Sequence, residues 1–208
     1  MSVEVVSDVV CPWCFIGHRS LSAALDLVPD VEVAIDWQPY QLHPYLPREG
    51  VDYKEHYARK FRGNAAPLVA RVKDAGRSVG IDFRFDKIER VPNSLSAHAV
   101  IGWAKPGLER NQIVERLFEA YFLEGQDVGD VQVLGSLAAE VGMDGSEIEA
   151  RLRRDEDRAE VASTADNNRR EGITGVPFFK FGDQYPVMGA QNPDTLAKVI
   201  ERTLAARA

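Results

Sequence analysis

Cysteine is nearly absent. The 208 residues hold two, Cys11 and Cys14, which rules out a framework of structural disulfides. With no second cysteine pair, a structural zinc site lacks ligands. His18 is the nearest other donor and the remaining histidines are scattered, so no metal is expected. Basic charge is also in short supply: 25 Lys and Arg stand against 32 Asp and Glu, for a net charge of −7. An acidic chain without a basic stripe speaks against nucleic acid as a partner. The first ten residues carry no Lys or Arg but do carry Glu4 and Asp8, the opposite of a secretory leader. No stretch is apolar for long enough to span a membrane. These absences predict a cytoplasmic protein without a membrane partner. What remains, at 45% hydrophobic residues, suits one large domain or a domain with an insertion.

The two cysteines form one motif, Cys11-Pro12-Trp13-Cys14. It lies between the apolar run Val3 to Val10 and a helical pattern from Phe15 to Val28. Residues three apart on the first turn of a helix face the same way, so the sulfurs can close a small disulfide ring. The helix N-terminus offers unsatisfied N–H groups and the positive end of the macrodipole, and both favour a thiolate. Cys11 sits at the helix end and is expected to be the nucleophile. Cys14 is one turn in, more buried and less acidic, and is expected to resolve the mixed disulfide. The plainer reading, two structural cysteines close by chance, does not account for the strand before and the helix after.

Around this motif the pattern is α/β. Val3 to Val10, rich in β-branched residues, reads as a buried central strand. Asp8 interrupts it, either capping the turn or relaying a proton to Cys14. Pro12 fits a first helical turn. His18 lies one turn beyond Cys14, where it either modulates that thiol or sits on the helix surface. Val31 to Trp37 alternates as a second strand, completing a parallel β-α-β unit. Tyr40, Leu42 and Tyr45 decorate the following loop, lining a pocket or covering a strand edge. Residues 51–172 read as helices throughout. Asn93 is the N-cap of one of them, and the charged run Arg153 to Arg170 is a solvated helix face. The α/β pattern returns at Gly175 to Phe181. Gly182-Asp183 makes a turn, Gln184 to Met188 is a second hairpin strand, and a helix follows, capped by Asn192. The expected domains are a discontinuous one, 1–50 with 173–208, and a helical insertion, 51–172.

Strand, Cys-x-x-Cys, helix, strand, insertion, Gly-Val-Pro, hairpin, helix is the order of a thioredoxin fold. The chain resembles the DsbA-like thioredoxin-fold family, and within it the FrnE-like cytoplasmic branch of disulfide oxidoreductases. The residues that carry the likeness are Ser7 to Cys14, Pro92-Asn93-Ser94, Ile173 to Pro177 and Gly189-Ala190-Gln191. The resemblance implies an α/β, thioredoxin-like fold with a large all-helical insertion. It also implies a cis Val176–Pro177 bond against the cysteine pair, with the Val176 backbone presented to an extended substrate. Pro12, Trp13, Val176, Pro177 and Asn93 then become expected substrate-binding residues, and Asp8 and His18 modulating ones. The additional relay cysteines of some relatives are missing here, and so is the export signal of the oxidising ones.

Three functions compete at this stage. The first is a thiol–disulfide oxidoreductase, a reductase or isomerase acting on polypeptide or small disulfides. It binds no cofactor and uses glutathione as a candidate electron donor or co-substrate. The second is a glutathione-dependent isomerase or transferase of the kappa or 2-hydroxychromene-2-carboxylate isomerase type, in which a Ser typically stands in place of the first Cys. The third is a non-enzymatic holdase gripping apolar chains through Trp13 and the loop aromatics. A homodimer is compatible with each.

Overall fold

Strand β1, Ser2–Ser7, is the centre of the architecture and explains itself by composition. Val3, Val5 and Val6 are all buried, as a strand covered on both faces requires. The structure, a computed structural model, describes residues 1–182 and 185–206. Beside β1 runs β2, Ala34–Pro39, parallel to it with Val5 opposite Trp37. On the other side β5, Phe178–Phe181, is antiparallel to β1, with Val5 opposite Phe179, and β6, Tyr185–Met188, pairs with β5 at the edge. The sheet order is β2-β1-β5-β6. Helix α1, Pro12–Asp26, makes the crossover between β1 and β2. Helix α9, Pro193–Ala205, caps its first turn with the Asn192 side chain and buries Leu196 and Ile200 against α1.

Several strand and helix ends differ from the sequence reading. β1 stops at Ser7, because Asp8 and the bonded Val9-Val10 turn bring Cys11 N–H back to Asp8 O at 3.0 Å. Helix α1 begins at Pro12, the first-turn position expected of it, but ends at Asp26 rather than Val28. β2 runs from Ala34 because Val31 is held in a turn by its bond to Val28 O. At the start of α4, Leu95–Trp103, the Ser94 side chain makes no cap bond, and the expected capping contact comes from Asn93, whose Oδ1 accepts from Leu95 N–H at 3.2 Å. In the hairpin, Asp183 and Gln184 lie outside the described residues.

The insertion holds α2, Tyr53–Lys60, and α3, Ala66–Arg77, then α4 and α5, Leu108–Glu119. Helices α6, Val131–Glu140, α7, Gly145–Arg153, and α8, Arg158–Arg170, follow. It is helical apart from one short antiparallel ladder, β3, Val51–Asp52, with β4, Arg90–Val91. Its core is continuous with that of the sheet. Phe15 of α1 stacks on Phe118 of α5 at 5.2 Å and meets Phe83 edge-on at 6.0 Å. Burial of each such ring contributes about 1.5–3 kcal/mol. The charged run ending in α8 is largely solvated, with one foot on the end of β2 and one on the loop after it. Asn168 Nδ2 donates to Pro39 O at 2.9 Å, and Arg169 Nη2 donates to Gln41 O at 2.6 Å.

Candidate active site

The end of β1 and the start of α1 place Cys11 at the N-cap position, with extended backbone angles and no side-chain cap bond. Its carbonyl already accepts from Cys14 N–H at 3.0 Å and Phe15 N–H at 3.3 Å, so α1 begins immediately behind its sulfur. Both cysteines are free and buried. They differ in what they face. Cys11, with Pro12 and Trp13, lines a cleft of about 610 Å³. Cys14 does not line it, although the two are equally little exposed, Cys11 at 3% and Cys14 at 2%. Burial pushes the Cys14 thiol well above the usual cysteine range, and the hydrogen bond and charge of Cys11 push it further. Hydrogen bonds from the Asp8 backbone and the Ser7 side chain act in the opposite direction.

The second wall of the site comes from far along the chain. Val176 lines the same cleft, and its carbonyl accepts from Cys11 Sγ at 3.7 Å. The Val176–Pro177 bond is cis. Pro177 packs over α1 at Gly17, where an added Cβ would lie 2.8 Å from Pro177 Cγ and 3.0 Å from Phe179 Cζ. Glycine is what lets the β5 approach sit this close to the helix.

Asp8 is fully buried beneath the motif, and its carboxylate is occupied by backbone. Oδ2 accepts from Leu42 N–H at 2.7 Å and Oδ1 accepts from Val10 N–H at 3.4 Å. His98 Nε2 stands 3.5 Å from Oδ1 but nearer, at 3.0 Å, to Tyr40 O. Asp8 thus shapes the turn before Cys11 and ties it to the 40–46 loop. Of the three loop residues, Leu42 reaches the cleft, Tyr40 is buried and Tyr45 is exposed.

Two expected site residues lie elsewhere. His18 is not on the helix surface, nor is it turned to a cysteine. Its ring is buried between Trp37, 5.3 Å away, and Phe118, 6.0 Å away, with Nε2 on Glu115 Oε2 at 2.6 Å. One turn of helix puts it on the α5 face, and α5 covers that face. Burial pushes the Glu115 carboxyl up, but His18 and Arg19 outweigh it and hold the acid below its usual range. Asn93 does not line the cleft. Its amide is consumed internally: Nδ2 donates to Leu46 O at 2.9 Å, while Oδ1 accepts from Gln41 Nε2 and Leu95 N–H, each at 3.2 Å. It fastens the 41–46 loop to the start of α4.

Sequence reasoning also missed residues. The outer cleft is built by α2 and α3, with Tyr53, Tyr57 and, just past its end, Phe61 from one and Leu68 and Val72 from the other. The i, i+4, i+8 aromatic spacing on α2 was the available signal for a shared face. Burial raises the Tyr53 phenol to about 12 and Tyr57 higher still, so both remain neutral at ordinary pH.

Comparison with known proteins shows the family and the fold. The profile of the DSBA-like thioredoxin domain family matches residues 2–201. An uncharacterized Bacillus subtilis protein, YwbO, is 28% identical over 202 residues, covering 95% of this chain and 94% of its own. Among solved structures, the probable DsbA oxidoreductase SCO1869 from Streptomyces coelicolor superposes with a TM-score of 0.87 at 23% identity, covering 100% of this chain and 92% of that one. A 2-hydroxychromene-2-carboxylate isomerase superposes at 0.78 with 16% identity, covering 100% and 98%. The cytosolic disulfide reductase DsbM from Pseudomonas aeruginosa, solved with GSH, superposes at 0.66 with 17% identity, covering 99% and 100%. At these identities the structural likenesses establish the fold. Among the described residues, no helix is long and apolar enough to cross a membrane.

Proposed function

This chain belongs to the DSBA-like thioredoxin domain family, and on that premise we propose that it is a thiol–disulfide oxidoreductase, working as a reductase or isomerase through Cys11 and Cys14. The observation that carries the reading is the asymmetry of the two thiols: Cys11 faces the cleft at a helix N-cap, and Cys14, outside the cleft lining, has its pKa raised. The Cys11 thiolate attacks a substrate disulfide, releasing one thiolate and forming a mixed disulfide. Cys14 then loses its proton and attacks Cys11 Sγ, releasing the second thiol. Two electrons pass to the substrate and a Cys11–Cys14 disulfide remains.

No resident cofactor is needed for this cycle. A small thiol such as glutathione, two molecules per turnover, returns the pair to the dithiol; the GSH complex of DsbM supports that choice of donor. A reducing, cytoplasmic setting suits a dithiol resting state. The isomerase with which the chain shares its fold supports a glutathione-transfer reading, but two thiols in place of one hydroxyl favour electron transfer. The test is trapping. Cys14→Ser should accumulate a stoichiometric Cys11 mixed disulfide with oxidised glutathione, and Cys11→Ser should form none. Equal modification of both variants would overturn the assignment of roles.

A further inference from the structure

The cleft above Cys11 has a composition that the redox reaction alone does not require. Its volume of about 610 Å³ is that of a small-molecule pocket. Tyr57 on α2, Phe61 just past its end, Val72 on α3 and Phe85 give it apolar and aromatic walls. Three ammonium groups, Lys54, Lys60 and Lys73, belong to the same lining. This is a cationic cluster on a chain of net charge −7.

Lys54 and Lys60 are exposed and Lys73 is half-buried; none of the three closes a salt bridge among the described residues, though the charge of Lys73 is felt by Asp86. Among the described residues, the lysine that does hold a salt bridge is Lys105, 3.7 Å from Glu109. Asp86, the acid in the lining, is already held by Arg84 at 2.8 Å. Lys60 Nζ lies over the Tyr57 and Phe61 rings at 5.7 and 5.8 Å. Partial burial lowers its pKa, and negative charge on Cys11 opposes that shift. A partly desolvated cation next to apolar walls is stabilised when an anion with an apolar body enters.

We propose that the disulfide reduced here is a small organic one carrying a ring-sized apolar group and a carboxylate, the ring between α2 and α3 and the carboxylate on Lys54, Lys60 and Lys73. This rests on the Cys11–Cys14 chemistry above and names its substrate class. In the balanced reaction, Cys11 displaces one aryl thiolate from the diaryl disulfide. Cys14 displaces the second, and both electrons come from the protein dithiol.

Two probes separate charge from shape: dithiobis-nitrobenzoate, with a carboxylate on each ring, and neutral dithiodipyridine. The rate constant of the reduced protein with each is divided by that of 2-mercaptoethanol with the same probe, a thiol with no other charged group, which removes intrinsic reactivity without adding a charge preference of its own. The corrected ratio should favour the anionic probe by about fivefold or more, as two or three ion pairs allow. It should fall as salt is added, and Lys60→Gln with Lys73→Gln should bring it toward unity. The salt dependence is read on the wild-type chain and needs no variant to fold. A corrected ratio of one, a ratio that the double variant leaves in place, or faster reduction of an unfolded disulfide polypeptide than of either probe would overturn the inference. If dithiodipyridine is reduced without any anionic preference, the oxidoreductase reading stands and the substrate class falls. If neither probe modifies Cys11, both fall.

Discussion

Cys11 Sγ stands 3.7 Å from the main-chain carbonyl of Val176, joining positions 165 residues apart. Three elements bring about that meeting. β1 delivers Cys11 to the N-terminus of α1, and β5, paired antiparallel to β1, delivers Val176 alongside. The sulfur therefore works in a cleft with one backbone wall fixed by the sheet.

Resolution of the mixed disulfide should be steeply pH-dependent. The Cys14 thiol is held above its usual range by burial, and by the hydrogen bond and charge of Cys11. Once Cys11 is in a mixed disulfide its charge is gone and burial remains. Cys14 is then still mainly protonated at neutral pH, and the thiolate is the attacking species. The single-turnover release rate should rise about tenfold per pH unit between roughly pH 6 and 8. Stopped-flow measurement of the second thiol released checks this; a flat profile would contradict a protonated Cys14.

Gly17 and Gly102 make a matched pair. A Cβ at Gly17 would press on Pro177 and Phe179, whereas nothing lies within 4 Å of one at Gly102. Gly17→Ala should cost about 1–3 kcal/mol by overpacking and reduce the rate of disulfide reduction by displacing the Val176 wall. Gly102→Ala, in helix α4, should stabilise by about 0.5–1 kcal/mol. Urea denaturation of both variants tests the opposite signs.

Asn93→Ala should lower stability by about 1–3 kcal/mol, because it leaves the Leu46 carbonyl and the Gln41 amide without their partner. It should leave KM for a small disulfide unchanged, since Asn93 does not line the cleft. A raised KM at unchanged stability would return Asn93 to the binding residues.

His43 should make the fold acid-sensitive. Burial, helped by the charges of Lys60 and His56 and opposed by Asp8, lowers its pKa to about 4. The unfolded chain therefore binds a proton below about pH 6.5 that the folded chain does not bind until about pH 4. Stability is full above the unfolded value and is lost as pH falls through that window, by about 1–3 kcal/mol. Denaturation midpoints at the two ends of the window check this, and His43→Leu should flatten the difference.

The sequence made the centre of this protein legible and its periphery only in part. Valine-rich β1, the Cys-x-x-Cys, and Pro12 and Asn192 at their helix starts are local signals, and local chemistry decides them. The strand ending at Phe181 was equally clear, though it begins at Phe178 rather than Gly175 and its nearness to Cys11 came from family likeness. What α2 and α3 face is a tertiary matter. Their apolar spacing shows a buried side but not that the side closes a cleft with Lys54, Lys60 and Lys73 in it. His18 and Asn93 misled for the same reason. A polar residue one turn from a cysteine, or beside a helix start, looks available until α5 covers the one and the 41–46 loop consumes the other.

The central claim is that Cys11 and Cys14 form a reversible two-electron couple. A glutathione redox titration of the purified protein, read by intact mass, tests it most directly. The account predicts a reversible loss of two hydrogens as the buffer becomes oxidising, abolished by Cys11→Ser, with a midpoint that separates a reductase from an isomerase. Cysteines that never pair, with glutathione retained and no disulfide formed, would contradict it.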